Sequence, residues 1–499
     1  MKQMHRSLLI ATATAAIAAC GGDPSTNDAS ATGKAKQVSG PITGFGSVIV
    51  NGKRYGTDNA QFDVDENPAS ETDLEVGMIV KVAIGTDGNA ERVEYDENVE
   101  GPVTAIDLAA GEITVLGQTV FVDELTNFEG VTLETLAVGD RVEVSGSPTE
   151  GDAILASYIE LEADPGSTDG EVQGRVAALD EAAQEFLIGS LIVDYSAAQE
   201  FEVAGGQLAN GQLVEVEGTV DGNVLRADSV ESISRTPDSE EDSDLEVAGL
   251  IKDLREDGFS IDELQIVINE ATEIENGTAE DLVVNVPVVV EGLVNAEGQL
   301  VAEEIEIQPP VEAEAEGTVE SVDPDTGILV ISGGIEIRIV AETRVEDDSE
   351  RAERNFDINS IQVGDHVEVS GFDDGGVIVA LYLEREDADL DEDGDGDSDG
   401  ARVRGEIESI DGQAGTFVLR GVTVEVTDTT EFDGYADSAE FFASAQAGDH
   451  VSAEGEFAAD STNRLIADEV EREDAPGHRP DDSDDGGDST ADNGDGTRG

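Results

Sequence analysis

Apolar and polar residues alternate in short runs along most of this chain, as in Val142-Glu-Val144. A period of two places the valines on one face of a strand and the acids on the other. Glycines break the runs every few residues, too often for helices. The pattern predicts an all-β protein whose acidic strand faces meet solvent.

The runs recur in a fixed frame, six times over. Each copy opens with glycine at the start of a strand: Gly40-Pro-Ile, Gly101-Pro-Val, Gly174-Arg-Val, Gly249-Leu-Ile, Gly317-Thr-Val and Gly405-Glu-Ile. A strand pair follows, such as Gly111-Glu-Ile-Thr-Val-Leu-Gly-Gln-Thr-Val-Phe-Val. A Thr-rich or acidic segment then leads to the strongest box, Val138-Gly-Asp-Arg-Val-Glu-Val-Ser-Gly146. The box returns at 211–218, 364–371 and 448–455, and in weaker form at 77–82 and 286–292. Gly-Asp before a strand suits a turn, because glycine takes positive φ freely and aspartate bonds nearby amides. Each copy closes on a strand like Ala156-Ser-Tyr-Ile-Glu-Leu.

The opening glycines lie 61, 73, 75, 68 and 88 residues apart, room for about five short strands per copy. A sheet of that size hides its edges by closing on itself. The expected architecture is a string of six small OB-like five-stranded barrels, with β-sandwich modules or an end-to-end β-solenoid as alternatives. The repeats span 38–96, 99–163, 171–233, 247–308, 314–386 and 401–473. Acidic linkers lie at 235–246 and 387–400, and an acidic tail at 474–499 is expected to be disordered from its composition.

The start of the chain reads as a lipoprotein signal, residues 1–19. Lys2 and Arg6 precede an apolar stretch, Leu8 to Ala19, too short to span a bilayer. It ends in small residues before Cys20, which resembles the bacterial lipobox cysteine, the site of lipidation by diacylglycerol and an acyl group such as palmitate. Several acyl chains give stable anchoring. Residues 20–37 carry almost no large apolar side chain and read as a flexible tether. Gly21, by resemblance to Gram-negative sorting rules, points to the outer membrane, with the protein facing the periplasm or the cell surface. Cys20 is the single cysteine, so the modules are expected to hold by packing or by ions and not by disulfides.

The glycine punctuation and the Gly-Asp-x-Val-Glu-Val box resemble an uncharacterised bacterial family, domain-of-unknown-function family 5666, over residues 38–473. The resemblance implies tandem OB-like repeats on secreted or lipid-anchored proteins, and it carries no catalytic residue. The fourth copy departs from the frame: Asn285 replaces the turn glycine and Pro287 enters the strand. Proline cannot donate to a ladder, so that strand is expected to lie at an edge or to bulge there.

Charge narrows the function. The chain has 115 acids against 26 bases, no tryptophan and 4% aromatics. Binding nucleic acid needs basic grooves with stacking rings; no Lys/Arg cluster occurs and rings are few, so nucleic acid is not an expected partner; anionic membrane surfaces are disfavoured too. Two readings of the acidity compete. One is solvation in saline surroundings, where salt screens self-repulsion; the chain has only six lysines. The other is calcium. Asp391, Asp393, Asp395, Asp397 and Asp399 place carboxylates at alternate positions of a glycine-rich loop, as hard cations require. Residues 395–406 formally match an EF-hand loop, but Arg402 stands where an apolar residue belongs and no flanking helices are expected. A solvated acidic linker is the plainer reading of the same stretch.

No serine elbow, phosphate loop or histidine-rich metal motif occurs. His366 and His450 occupy equivalent places after the Gly-Asp turn and read as a turn preference. The sequence therefore points to a non-enzymatic, lipid-anchored envelope scaffold or spacer, with calcium as its one candidate cofactor. Multivalent binding of a glycan or small peptide ligand is the alternative, and an envelope protein is a further candidate partner.

Overall fold

In the computed structural model, which describes residues 36–164, 166–237, 240–387, 400–458 and 461–473, the alternating runs form β-strands. Cys20, the signal, nearly all of the tether, Asp391 to Asp399 and the tail lie outside the described residues.

Module 2 shows the plan. Its five main strands are Val99–Asp107, Glu112–Val115, Gln118–Phe121, Arg141–Pro148 and Ile154–Leu161. The first pairs antiparallel with the second, and the second with the third. The third runs parallel to the fifth, the fifth antiparallel to the fourth, and the fourth returns to the first. This closed ring is an OB-type barrel. Modules 5 and 6 close in the same way. In modules 3 and 4 the ring is kept, but the opening strand is split at Val176 and at Ile251. Module 1 is looser. Its third strand, Lys53–Tyr55, reaches the fifth, Ala90–Tyr95, through a bond from Ala90 N to Gly56 O of 3.0 Å, and an added hairpin, Gln61–Val64 with Asn67–Ala69, covers the gap.

The valines of the box fill the barrels: Val142, Val144, Val214, Val216, Val367 and Val369 are fully buried. Apolar residues from the segment before the box join each core, among them Leu74, Leu136, Leu208, Leu282 and Ile361. In module 6 that role falls to the helix Ser438–Ser444, which the sequence reading did not foresee. Asp437 caps it by accepting from Glu440 N at 2.9 Å, and Phe441 is fully buried among Phe417, Phe432, Tyr435 and Phe442.

The modules are tandem in sequence but are not a loose string in space. Opening strands pair across modules. Lys36–Gly44 of module 1 lies parallel to Asp244–Leu250 of module 4. The opening strands of modules 2 and 3 pair antiparallel, as do those of modules 5 and 6. Three sheets of 14, 13 and 11 strands result. The fourth copy also differs from expectation. Pro287 opens the strand Pro287–Val294, which is flanked by partners on both sides, so it is no edge strand and its bulge falls later, at Glu291/Gly292. Proline is harmless at a first strand position. Asn285 takes the left-handed φ of 65° that the turn demands, which asparagine tolerates better than most residues.

Candidate functional site

The acids on outward strand faces were expected to face water, yet several, on the box and on the opening strands, are covered by a neighbouring module. Glu215 is 9% exposed, Glu246 1% and Glu314 7%. Register also lines acids up in rows. Glu160, Glu143, Glu100, Glu171 and Glu217 stand directly opposite one another across five strands of modules 2 and 3. Like charges so placed repel. Glu246, Glu291 and Glu304 repeat the motif in module 4, and Glu316, Glu368 and Glu384 in module 5.

Each ladder meets its charge differently. In module 4, Lys53 Nζ lies 2.9 Å from Glu246 and 2.8 Å from Glu291, with Lys36 Nζ 3.1 and 3.2 Å from the same pair. In module 5, His366 Nε2 lies 2.9 Å from Glu316 Oε1, with Glu386 close by beside a small cleft of about 140 Å³. In module 2, buried Arg141 takes Glu100 at 2.5 Å and Tyr95 donates to Glu143 at 2.5 Å. Beyond that point cations run out. Among the described residues no ion pair reaches Asp65, Glu97, Glu143 or Glu171. One oxygen from each of Asp65, Glu97 and Glu171 lies within 4.8 Å of the others.

Burial, then neighbouring carboxylates, push Glu143 and Glu215 up to about 8 and Glu171 up to about 10. Glu97 is driven well above the carboxylate range by burial and by Asp65 and Glu171, and burial raises Asp65 as well. Three segments converge here. Asp65 sits in the turn of the added hairpin of module 1, Glu97 in the two-residue link between modules 1 and 2, and Glu171 on the opening strand of module 3.

Beside this cluster a polar cleft of about 380 Å³ opens where modules 1, 2, 3 and 4 meet. Lys81 reaches Asp96 at 3.3 Å, Arg92 reaches Asp63 at 2.9 Å, and Gln173 Nε2 donates to Glu215 at 3.1 Å. Ser145 and Asn98 also line it, and no aromatic ring does. Such walls suit a small polar molecule held by hydrogen bonds.

Of the residues singled out in the sequence, Cys20 and the five aspartates from Asp391 to Asp399 lie outside the described residues. His366 and His450 are placed by more than a turn preference. Their slot begins the fourth strand and faces an acid of the opening strand, His366 with Glu316 and His450 with Glu406 at 3.6 Å, as Arg141 faces Glu100 in module 2. Sequence reasoning missed Asp65, Glu97 and Glu171. The recurrence of a glutamate at the centre of the box was a signal for the ladders; nothing in the spacing of the three residues linked them.

A family described as Domain of unknown function (DUF5666) matches at residues 100–160, 173–231, 248–306, 316–384 and 404–471. Module 1 lies outside those matches. No curated protein matches the chain. Among solved structures, a chain titled "drosophila Unr CSD456" is 16% identical, with 40% of this chain and 88% of that chain covered and a TM-score of 0.10. The five matches follow modules 2 to 6 one by one and span more than half of the sequence: the chain belongs to the DUF5666 family.

Proposed function

We propose that this protein is a non-enzymatic scaffold of the bacterial envelope, its barrels locked into one rigid body and held off the outer membrane by a lipid on Cys20 and the tether of residues 20–37. The observation that carries the reading is the pairing of opening strands across modules, which makes three continuous sheets out of six barrels. A flexible string would have left those edges free. The engagement of His366 and His450 with strand glutamates supports a structural role for both. The acidity argues against nucleic acid and anionic lipid surfaces as partners.

Small-angle scattering of the full chain tests this. A compact body of this size has a radius of gyration of about 22 Å, to which the flanking segments add, and it should not change between low and high salt. A particle that swells at low salt, as a charged string would, refutes the scaffold reading. Labelling with palmitate in a bacterial host should mark the chain and spare Cys20→Ala.

The polar cleft between modules 1 to 4 favours a second reading, a glycan or small peptide ligand. Retention of one ligand class on an array, lost in Gln173→Ala, would establish it; a pure scaffold retains nothing.

A further inference from the structure

We propose that Asp65, Glu97 and Glu171 bind one calcium ion, which fastens modules 1, 2 and 3 at their junction. The inference deepens the rigid-scaffold reading and rests on it only for its biological meaning.

Three observations carry it. First, Glu97 is 2% exposed, and its Oε2 is buried without a hydrogen-bond partner, as is Asp65 Oδ1. A buried carboxylate oxygen with no donor costs several kcal/mol unless a proton or a cation meets it. Second, the geometry fits a hard cation. For three oxygens no more than 4.8 Å apart, a central ion lies within about 2.8 Å of each, so small side-chain rotations bring it to calcium–oxygen distances. Magnesium demands shorter, near-octahedral contacts. Third, among the described residues no cationic side chain answers these acids. Burial acts first on Glu97 and Glu171, and the side chains that act next are carboxylates, Asp65 and Glu171 on Glu97, Glu215 and Asp65 on Glu171. The other ladders have lysine, arginine or histidine at this place. Because Asp65, Glu97 and Glu171 belong to different segments, an ion here joins what the strand ladder of modules 2 and 3 does not, namely module 1 to module 3.

The test is thermal melting of the full chain, stripped with EDTA, in calcium chloride and in sodium chloride at matched ionic strength. Wild type, Glu97→Gln, Glu171→Gln and the loop variant Asp393→Asn/Asp395→Asn/Asp397→Asn are compared. Calcium at about a hundred times its dissociation constant should raise the wild-type midpoint by about 3 °C or more. Glu97→Gln and Glu171→Gln should abolish that rise, and the loop variant should keep it. In EDTA, Glu97→Gln should melt no lower than wild type, since the amide replaces a buried carboxyl with an unpartnered oxygen; this shows that the variant is folded. A rise that survives in both glutamine variants, an equal rise with sodium, or an equal rise with magnesium overturns the proposal. So does stabilisation by mild acid alone, with no response to calcium, which would mean that the carboxylates share protons. Scattering separates the two readings: a rigid particle without a calcium response leaves the scaffold standing, and a calcium response in a flexible particle leaves the site standing.

Discussion

At the scale of single residues, the glycine that ends each box is the most constrained position. A Cβ at Gly146 would stand 2.3 Å from Leu155 O, at Gly218 2.1 Å from Arg226 O, and at Gly371 2.1 Å from Val379 O. Each of these glycines sits at a bulge, where the fourth strand bends over the fifth. The constraint is close backbone approach, which no side chain can satisfy. Gly371→Ala is therefore expected to cost about 2 kcal/mol or more in urea unfolding, since the strand must shift to relieve the clash. Gly151→Ala, where the nearest atom is 3.9 Å away and φ is ordinary, should change stability by no more than about 0.5 kcal/mol. Equal effects would show that the bulge is soft.

At the scale of elements, arginine and lysine act as clasps between modules. Arg354 of module 5 donates to Glu75 Oε1 at 3.0 Å and to the carbonyls of Glu71 and Leu74, and it stacks 3.8 Å from the centre of the Phe45 ring, all in module 1. Arg404 of module 6 takes Glu124 of module 2 at 2.6 Å. Arg354→Ala should lower stability by about 2 kcal/mol, and hydrogen exchange should rise at residues 71–76. Arg354→Lys should restore only part of this, because an ammonium cannot fork to three acceptors and stack. Full rescue by lysine would reduce the contact to bare charge. This layer was the least legible in the sequence. The five-strand frame could be read because alternation and turns act within a module. Lys36 and Lys53, by contrast, answer Glu246 and Glu291 some two hundred residues away, and nothing in one sequence joins them. The same blindness put the box acids in solvent: a period of two shows that Glu215 leaves the barrel core, but not that another module covers it. The cluster of Asp65, Glu97 and Glu171 was hidden because it draws on a turn, a link and a strand with no shared spacing. Asn285 was legible as a departure, and its left-handed backbone explains why asparagine serves there.

At the scale of the whole molecule, 26 bases must organise 115 acids, and the buried acids decide how stability follows pH. Glu143 and Glu215 titrate at about 8 and Glu171 at about 10, against 4.5 for a free glutamate. The folded chain thus keeps protons that the unfolded chain releases above pH 4.5, so stability falls as pH rises from there through 8 to 10. Asp347 acts in the opposite sense. Burial alone would raise it, but hydrogen bonds from Arg385 and Ser349 hold it at about 2 against 3.8, so its contribution is lost as pH drops through that interval. The two windows leave an optimum near pH 4 to 5. In EDTA, the melting temperature should therefore fall between pH 5 and pH 9. Surface repulsion predicts the same direction, and salt separates the causes: 1 M sodium chloride screens exposed charges to about 3 Å but leaves buried shifts in place. The fall should persist in high salt and shrink in the triple variant Glu143→Gln/Glu171→Gln/Glu215→Gln. Neutralising exposed Glu181, Glu256 and Glu270 should leave it unchanged. A fall that vanishes in high salt, or that responds equally to both triple variants, would assign the pH dependence to net charge and remove the buried ladder from the account.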